Sequence, residues 1–164
     1  MNFLPITIDI EHETILIIGG GKVAIHKIES LERFTNKIKV IALDVVPEIR
    51  ERSFIEIVEK TYESKDLDGH LLVYAATDDS KLNSQIRAHA RQYRCLVNVV
   101  DKPSICDFIS PAIHKQDLMT VAVSSNGENV FAAIDWRNQI RDLAQAGHIQ
   151  STKSKDKYRI EFNS

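Results

Sequence analysis

The stretch ILIIGGGKVAIHK, residues 15–27, decides the fold of this chain. Four consecutive apolar residues lead into three glycines, and a segment with helical spacing through Val23, Ile28 and Leu31 follows them. An unbroken apolar run is typical of a strand that is buried on both faces of a parallel sheet. We therefore expect a buried strand, a tight glycine turn and a helix, in that order.

The glycine turn has the spacing of a dinucleotide site. Residues 19–24 read G-x-G-x-x-A, in which Gly19 permits the turn, Gly21 lets a pyrophosphate approach the backbone and Ala24 allows close helix packing. Asp44 ends the second predicted strand, where NAD sites often carry an acidic residue that would repel the 2′-phosphate of NADP. The alternative is a tight turn with a surface aspartate. The motif, its place after a strand and Asp44 agree, which favours NAD binding.

Strands and helices alternate along the first two thirds of the chain. Apolar strands are predicted at residues 37–43, 54–60, 71–76 and 95–100, and helices at 22–34 and 78–93, with a short helix from Pro47. Such alternation implies βαβ units, because parallel strands need crossover connections. We expect an α/β fold with a Rossmann-like parallel sheet and helices on both faces.

The pattern changes after Pro103. Residues 104–113 are predicted as a loop, residues 118–125 as a strand, and residues 128–146 as an amphipathic helix with an apolar face that includes Phe131. The polar end of the chain predicts a flexible tail. We expect a nucleotide-binding domain at 1–109, a small strand-plus-helix dimerisation region at 110–150 and the tail at 151–164.

Composition excludes several classes of protein. The chain has 164 residues and a net charge of −2, so no excess of cations is available for nucleic acid. No apolar run has the length of a membrane span, and the N-terminus does not read as a signal peptide. Two cysteines and six scattered histidines form no metal-type spacing. We expect a cytoplasmic protein that binds neither a membrane nor a resident metal.

Polar residues follow the fourth and fifth predicted strands. Thr77 and Asp78 follow one strand, while Asn98 and Asp101 lie at the end of the next, so all should face the crevice at the carboxyl edge of the sheet. Asp78 or its neighbour Asp79 could instead cap the following helix. Asp101 precedes Lys-Pro and so opens no helix. Its spacing leaves open a turn aspartate or, if partly buried, a proton-transferring carboxylate.

In these motifs the chain resembles the precorrin-2 dehydrogenase and sirohydrochlorin ferrochelatase domain of siroheme synthases. The matching segments are LPITIDI, ILIIGGGKVAIHK, VYAATDDSKLN, NVVDKPSICDFISPAI and LMTVAVSSNG, in the family's order within residues 3–142. The resemblance implies NAD⁺-dependent oxidation of precorrin-2 to sirohydrochlorin, with Fe²⁺ insertion, a lyase activity, in some members. The family reads Ser-Pro where this chain has Glu128-Asn129, and many relatives continue into a helical domain. Dehydrogenation is therefore the better supported activity.

The resemblance also implies site residues. Asp101 falls on the family's proposed acid/base aspartate, and the region after the sheet resembles a homodimerisation region. Cofactor contacts carried over by motif are Gly19, Gly20, Gly21, Lys22, Val23, Leu43, Asp44, Thr77 and Asp78.

A polyanionic tetrapyrrole also needs local cations and polar groups. The predicted substrate-binding residues are Asn98, His114, Lys115 and Arg137, whose charged members could equally be solvated surface groups. A different class of protein, a regulatory NAD-binding module without turnover, would have the same sheet. It would need no role for Asp101. An unrelated small-molecule dehydrogenase is a third interpretation. It is disfavoured because the sequence shows no Lys, Tyr or His in an arrangement typical of hydride transfer.

Overall fold

The computed structural model describes residues 1–149, and the tail predicted at 151–164 lies outside them. These residues form seven strands and four α-helices. They are β1 Ile15–Ile18, α1 Lys22–Leu31, β2 Ile38–Ala42, α2 Pro47–Arg50, β3 Ile55–Glu59, β4 Leu72–Ala75, α3 Ser80–Tyr93, β5 Leu96–Val99, β6 Ala112–Gln116, β7 Met119–Val123 and α4 Val130–Gln145.

The first five strands form one parallel sheet in the order β3-β2-β1-β4-β5. The Rossmann-like fold predicted from the sequence is therefore confirmed. The order reverses between β1 and β4, and ligands of such sheets bind at the carboxyl edge beside this reversal. The turns after β1, β2, β4 and β5 all lie at that edge.

The core lies on both faces of the sheet, which explains the unbroken apolar run of β1. Ile15 and Ile17 pack with Ile28 of α1 on one face, whereas Leu16 and Ile18 pack with Ile86 of α3 on the other. All four residues of β1 are buried. Burial on both faces leaves no polar position in the strand.

The region after the sheet contains one strand more than the sequence predicted. Residues 112–113 were expected in a loop, but β6 begins at Ala112 and pairs with β7 as an antiparallel hairpin. The register Gln116↔Met119 leaves two residues in the hairpin turn, and Asp117 adopts a positive φ of 52° there. This turn lacks the Asn-Gly or Asp-Gly signal of a tight hairpin, so the prediction missed the strand.

Helix α4 packs on this hairpin but leaves much of its apolar surface uncovered. Phe131 is 85% exposed and Trp136 65% exposed, and Leu118 in the hairpin turn is 99% exposed. Only Ala133 of this helix is buried. No helix within residues 1–149 is long and apolar enough to cross a membrane.

Candidate functional site

Two glycines build the turn after β1. Gly19 has a φ of +123°, and a Cβ atom there would lie 2.2 Å from the carbonyl oxygen of Ala76. A Cβ atom at Gly20 would lie 2.2 Å from the carbonyl oxygen of Asp44. Real side chains do not tolerate such distances, so both positions require glycine because neighbouring backbone passes so close. Any contact of these two residues with a cofactor would be made by their backbone.

Gly21 has a different role. Its φ of −96° suits any residue, and a Cβ atom there would meet nothing within 4 Å. Gly21 is the N-cap of α1, and within residues 1–149 no side chain caps this helix and its first turn has no acidic residue. In contrast, Asp79 caps α3 by accepting from the backbone N–H groups of Lys81 and Leu82. The N-terminus of α1 is thus open to an anion such as a pyrophosphate.

Predicted cofactor residues surround this opening. The side chain of Asp44 is 96% exposed, and one of its oxygens accepts a 2.9 Å hydrogen bond from the backbone N–H of Val45. Leu43 and Val23 are exposed apolar side chains on either side of the turn, and Lys22 is exposed at the start of α1. Exposed apolar groups beside a carboxylate and a free helix end suit the base, ribose and phosphate of a nucleotide, so the residues present fit NAD.

Asn83 ties the β4 turn to the end of β5, and sequence reasoning assigned it no role. It is fully buried, and its Oδ1 accepts from the N–H and the hydroxyl of Thr77 at 3.2 and 2.7 Å. Its Nδ2 donates to the Thr77 carbonyl at 2.9 Å and to Asp101 Oδ1 at 3.4 Å. An asparagine on the buried face of α3, in register with Ile86 and Ala90, was the available signal.

The two other acidic residues that the sequence predicted at the carboxyl edge of the sheet, Asp78 and Asp101, are exposed to solvent. Asp78 is exposed beside the capping residue Asp79. Asp101 lies in the turn after β5 and is also exposed, so the chain by itself does not provide the partial burial that would favour a proton-transferring carboxylate. Because β5 is the last strand of the sheet, no further strand covers this turn.

Asn98 is a buried polar residue with an unsatisfied acceptor. It is 5% exposed, and its Nδ2 donates to the carbonyl of Phe108 at 3.0 Å. Its Oδ1 has no partner among the described residues. Rotating the amide would set two oxygens against each other, so the donor to Phe108 fixes the orientation. A buried acceptor without a partner is uncommon and is expected where a ligand donates.

Asn98 lines a cavity of about 550 Å³ between α1, the end of β5, the loop after it, the end of β7 and α4. The loop is held against the sheet because Asp107 accepts from the N–H of Val97 at 2.9 Å and from Arg87 at 2.5 Å. Four basic side chains line this cavity, and none of its described lining residues is Asp or Glu. The basic side chains are His26, Lys27, Arg33 and Arg137.

Lys27 is one of the two half-buried cations of this cavity. Its ammonium lies 5.8 Å from the centre of the Tyr74 ring, and it forms no ion pair with a carboxylate in the described part of the chain. Burial lowers the pKa of Lys27, an effect that nearby Cys106 partly opposes. An ammonium kept half-buried without a counter-ion costs stability, so it indicates a site for an anionic ligand.

The guanidinium groups of Arg33 and Arg137 converge on one carbonyl oxygen, that of Ile113, at 3.2 and 3.0 Å. Of the predicted substrate residues, the structure therefore brings Asn98 and Arg137 to the cavity. It does not bring His114 or Lys115 there. His114 lies beside Gln116, and Lys115 donates to the carbonyl of Arg33 on the outer surface. Lys27 and Arg33 were missed because single cations on an amphipathic helix resemble solvated surface charge.

Metal ligands are not clustered in the part of the chain that the structure describes. No group of three His, Cys, Asp or Glu residues there could hold a metal ion. Cys95 is buried and Cys106 half-buried, and both are free thiols whose pKa is raised by burial. Cys106 accepts a hydrogen bond from the N–H of Val99 and thus helps to hold the cavity wall.

The parallel sheet, the glycine turn and the uncapped helix define a Rossmann-type nucleotide-binding domain. A family described as putative NAD(P)-binding matches residues 6–112, and the chain belongs to this family. Siroheme synthase of Methylococcus capsulatus is 38% identical over 143 residues, which cover 85% of this chain and 30% of that protein. Siroheme synthase of Zymomonas mobilis is 41% identical over 146 residues, with 87% and 31% covered. The resemblance stated from the motifs is confirmed.

A solved structure described as SirC, precorrin-2 dehydrogenase, has the same fold. Its TM-score is 0.67 at 19% identity, and the match covers 92% of this chain and 84% of that chain. The structural match covers 92% of this chain, whereas the family model ends at residue 112. The shared fold therefore extends beyond the parallel sheet into the region that follows it. The chain spans about a third of the length of the curated siroheme synthases that it matches.

Proposed function

We propose that this chain is an NAD-dependent precorrin-2 dehydrogenase that produces sirohydrochlorin for siroheme synthesis. The observation that carries the proposal is a shared location. The open N-terminus of α1 lies at the same edge of the sheet as an acid-free cavity lined by basic side chains. A dinucleotide and a polycarboxylate can therefore meet there. The similarity to siroheme synthases and the fold shared with a precorrin-2 dehydrogenase support this assignment.

The reaction removes one hydride and one proton from the macrocycle. NAD⁺, when bound, supplies the hydride acceptor. The chain has to hold the substrate, orient it and take the proton. Lys27, Arg33 and Arg137 provide charge for substrate carboxylates, and Asn98 Oδ1 provides an acceptor for a substrate N–H. A pocket that fixes a polyanion in this way contributes by positioning.

Asp101 is the proposed proton acceptor. It lies in the chain between Val100 and Pro103, which both line the cavity. It does not cap a helix, because the short 3-10 turn Pro103–Ile105 has Lys102 as its N-cap. Asn83 donates to its carboxylate from a buried position and so fixes the direction of Asp101. A base held in this way contributes about 10²–10⁴-fold to rate.

The test is an anaerobic assay of precorrin-2 oxidation with NAD⁺. The wild type is expected to form NADH, and Asp101→Asn is expected to bind NAD⁺ normally and to lose at least about 10²-fold in turnover. Asp68→Asn, at an exposed aspartate outside the site and outside the region proposed for dimerisation, is the control and should keep full activity. NAD⁺ binding without NADH formation in the wild type would favour the regulatory module instead. Normal turnover by Asp101→Asn would leave Asp101 a turn residue.

The uncovered apolar face of α4 and the hairpin supports a homodimer built from residues about 110–145. Large contiguous apolar patches on soluble domains mark association surfaces, and a two-fold dimer is the commonest solution. We assign the protein to the cytoplasm, where its thiols would stay reduced. Insertion of Fe²⁺ as a second substrate, a lyase activity, is a subordinate proposal that needs no resident metal site. It would use Asp101 to accept pyrrole protons.

A further inference from the structure

A second carboxylate lies beside the predicted ribose end of the nucleotide site. Arg50, the last residue of α2, donates from Nε to the carbonyl of Val45 at 3.0 Å. Its Nη1 is paired with Glu59, and its Nη2 lies 3.9 Å from Asp44 Oδ1. Glu59 ends β3 and pairs in register with Ala42, the last residue of β2. The two carboxylates and the guanidinium therefore form one cluster at the carboxyl edge.

The charge of this cluster opposes a 2′-phosphate. Two carboxylates and one guanidinium leave a net charge of −1 where the ribose hydroxyls of a dinucleotide are expected. Sites that accept NADP carry an arginine at this place to bind the 2′-phosphate. Arg50 is such an arginine, but its two terminal nitrogens face Glu59 and Asp44. The hydrogen bond that Arg50 donates to Glu59 raises the pKa of Arg50.

We propose that Glu59 determines cofactor choice: by engaging Arg50, it denies a 2′-phosphate its partner and keeps the site selective for NAD⁺. The proposal rests on the proposed nucleotide site and does not depend on which substrate is oxidised. It predicts that neutralising Glu59 frees Arg50 for the 2′-phosphate. Sequence spacing pointed to Asp44 alone, since Glu59 reaches the site from a different strand.

The experiment measures dissociation constants by calorimetry at low ionic strength, with NAD⁺ and NADP⁺, and with 5′-AMP and adenosine 2′,5′-bisphosphate as probes without nicotinamide. Glu59→Gln removes one charge near a phosphate of charge about −2. The preference for NAD⁺ over NADP⁺ should therefore fall by about threefold to tenfold. The AMP pair should change in the same direction. Glu56→Gln is the matched control, because Glu56 is on the same strand and pairs instead with Lys39 at 2.7 Å.

The double variant Arg50→Gln/Glu59→Gln shows whether the effect of Glu59→Gln requires the guanidinium of Arg50. It restores the net charge and lacks the guanidinium, so the preference should return to about the wild-type value. Glu59→Ala should repeat the effect of Glu59→Gln, since the side chain is 48% exposed on an edge strand and its loss should not unfold the chain. If the wild type binds NAD⁺ and both Glu59 variants keep the wild-type preference for NAD⁺ over NADP⁺, the role of Glu59 is overturned and the nucleotide site is not. A wild type that binds no dinucleotide would overturn the nucleotide site as well.

Discussion

The substitution Gly21→Asp should separate nucleotide binding from folding. A φ of −96° accepts aspartate, and the space beyond the missing Cβ atom is open. Aspartate is a better N-cap than glycine by a few tenths of a kcal/mol, and a negative charge at a helix N-terminus adds about 0.3–1 kcal/mol. Together these two contributions should raise the free energy of unfolding by about 0.5–1.4 kcal/mol.

The same carboxylate should compete with the pyrophosphate. Two unit charges 4 Å apart repel by about 1 kcal/mol in water and about 4 kcal/mol at the effective dielectric constant of a protein surface. These energies correspond to a loss of about fivefold to a thousandfold in NAD⁺ affinity. Gly21→Ala, which adds a side chain without charge, should weaken binding less.

Gly20→Ala is the matched comparison one residue away. Its new Cβ atom would lie 2.2 Å from the carbonyl oxygen of Asp44, so backbone must move. Overpacking of this kind costs about 1–3 kcal/mol. Denaturant unfolding gives the stabilities, and calorimetric titration with NAD⁺ gives the affinities. Unchanged NAD⁺ affinity in Gly21→Asp would refute the placement of the phosphates at α1, and full stability of Gly20→Ala would refute the packing of the turn.

Three further predictions concern other parts of the molecule. Asn83→Ala should lower the free energy of unfolding by about 1–3 kcal/mol, because it leaves backbone groups of Thr77 unsatisfied; urea unfolding measures this. Lys27→Met should raise it by about 0.5–2 kcal/mol near neutral pH and weaken substrate binding. Because burial lowers the pKa of Lys27, the cost of its charge is complete below the folded-state pKa, and the gain in Lys27→Met should shrink as pH rises towards 10.5. Phe131→Glu should convert a dimer to a monomer in sedimentation velocity, with a red shift in the emission of Trp136, the sole tryptophan; a wild-type monomer at micromolar concentration would contradict this prediction.

The sheet could be predicted from the sequence because its signals are local. An apolar run, a glycine turn and helical spacing each involve residues close together in the chain, and β1 with α1 follows from them directly. Gly21 and Asp44 could be predicted as cofactor residues for the same reason, since a fixed spacing connects them. Strand β6 was missed because its residues are largely polar and its hairpin turn has no glycine.

The walls of the site could not be predicted because they depend on tertiary packing. Lys27 and Arg137 lie far apart in the chain and line the same cavity only once α4 has packed on the hairpin. Glu59 of β3 pairs with Arg50 of α2, and Asn83 of α3 donates to Asp101 in the turn after β5. Hydrophobic periodicity predicts which face of a helix is buried, but it does not predict which charged groups will share a cavity.

The stoichiometry of precorrin-2 oxidation tests the central claim most directly. The purified chain is mixed anaerobically with precorrin-2 and excess NAD⁺, and NADH and sirohydrochlorin are followed together by absorbance. Removal of one hydride and one proton predicts one NADH for each sirohydrochlorin formed, with no reaction when NAD⁺ is left out. Sirohydrochlorin that forms at the same rate without NAD⁺, or NAD⁺ binding with no NADH produced, would contradict the assignment of this chain as an NAD-dependent dehydrogenase.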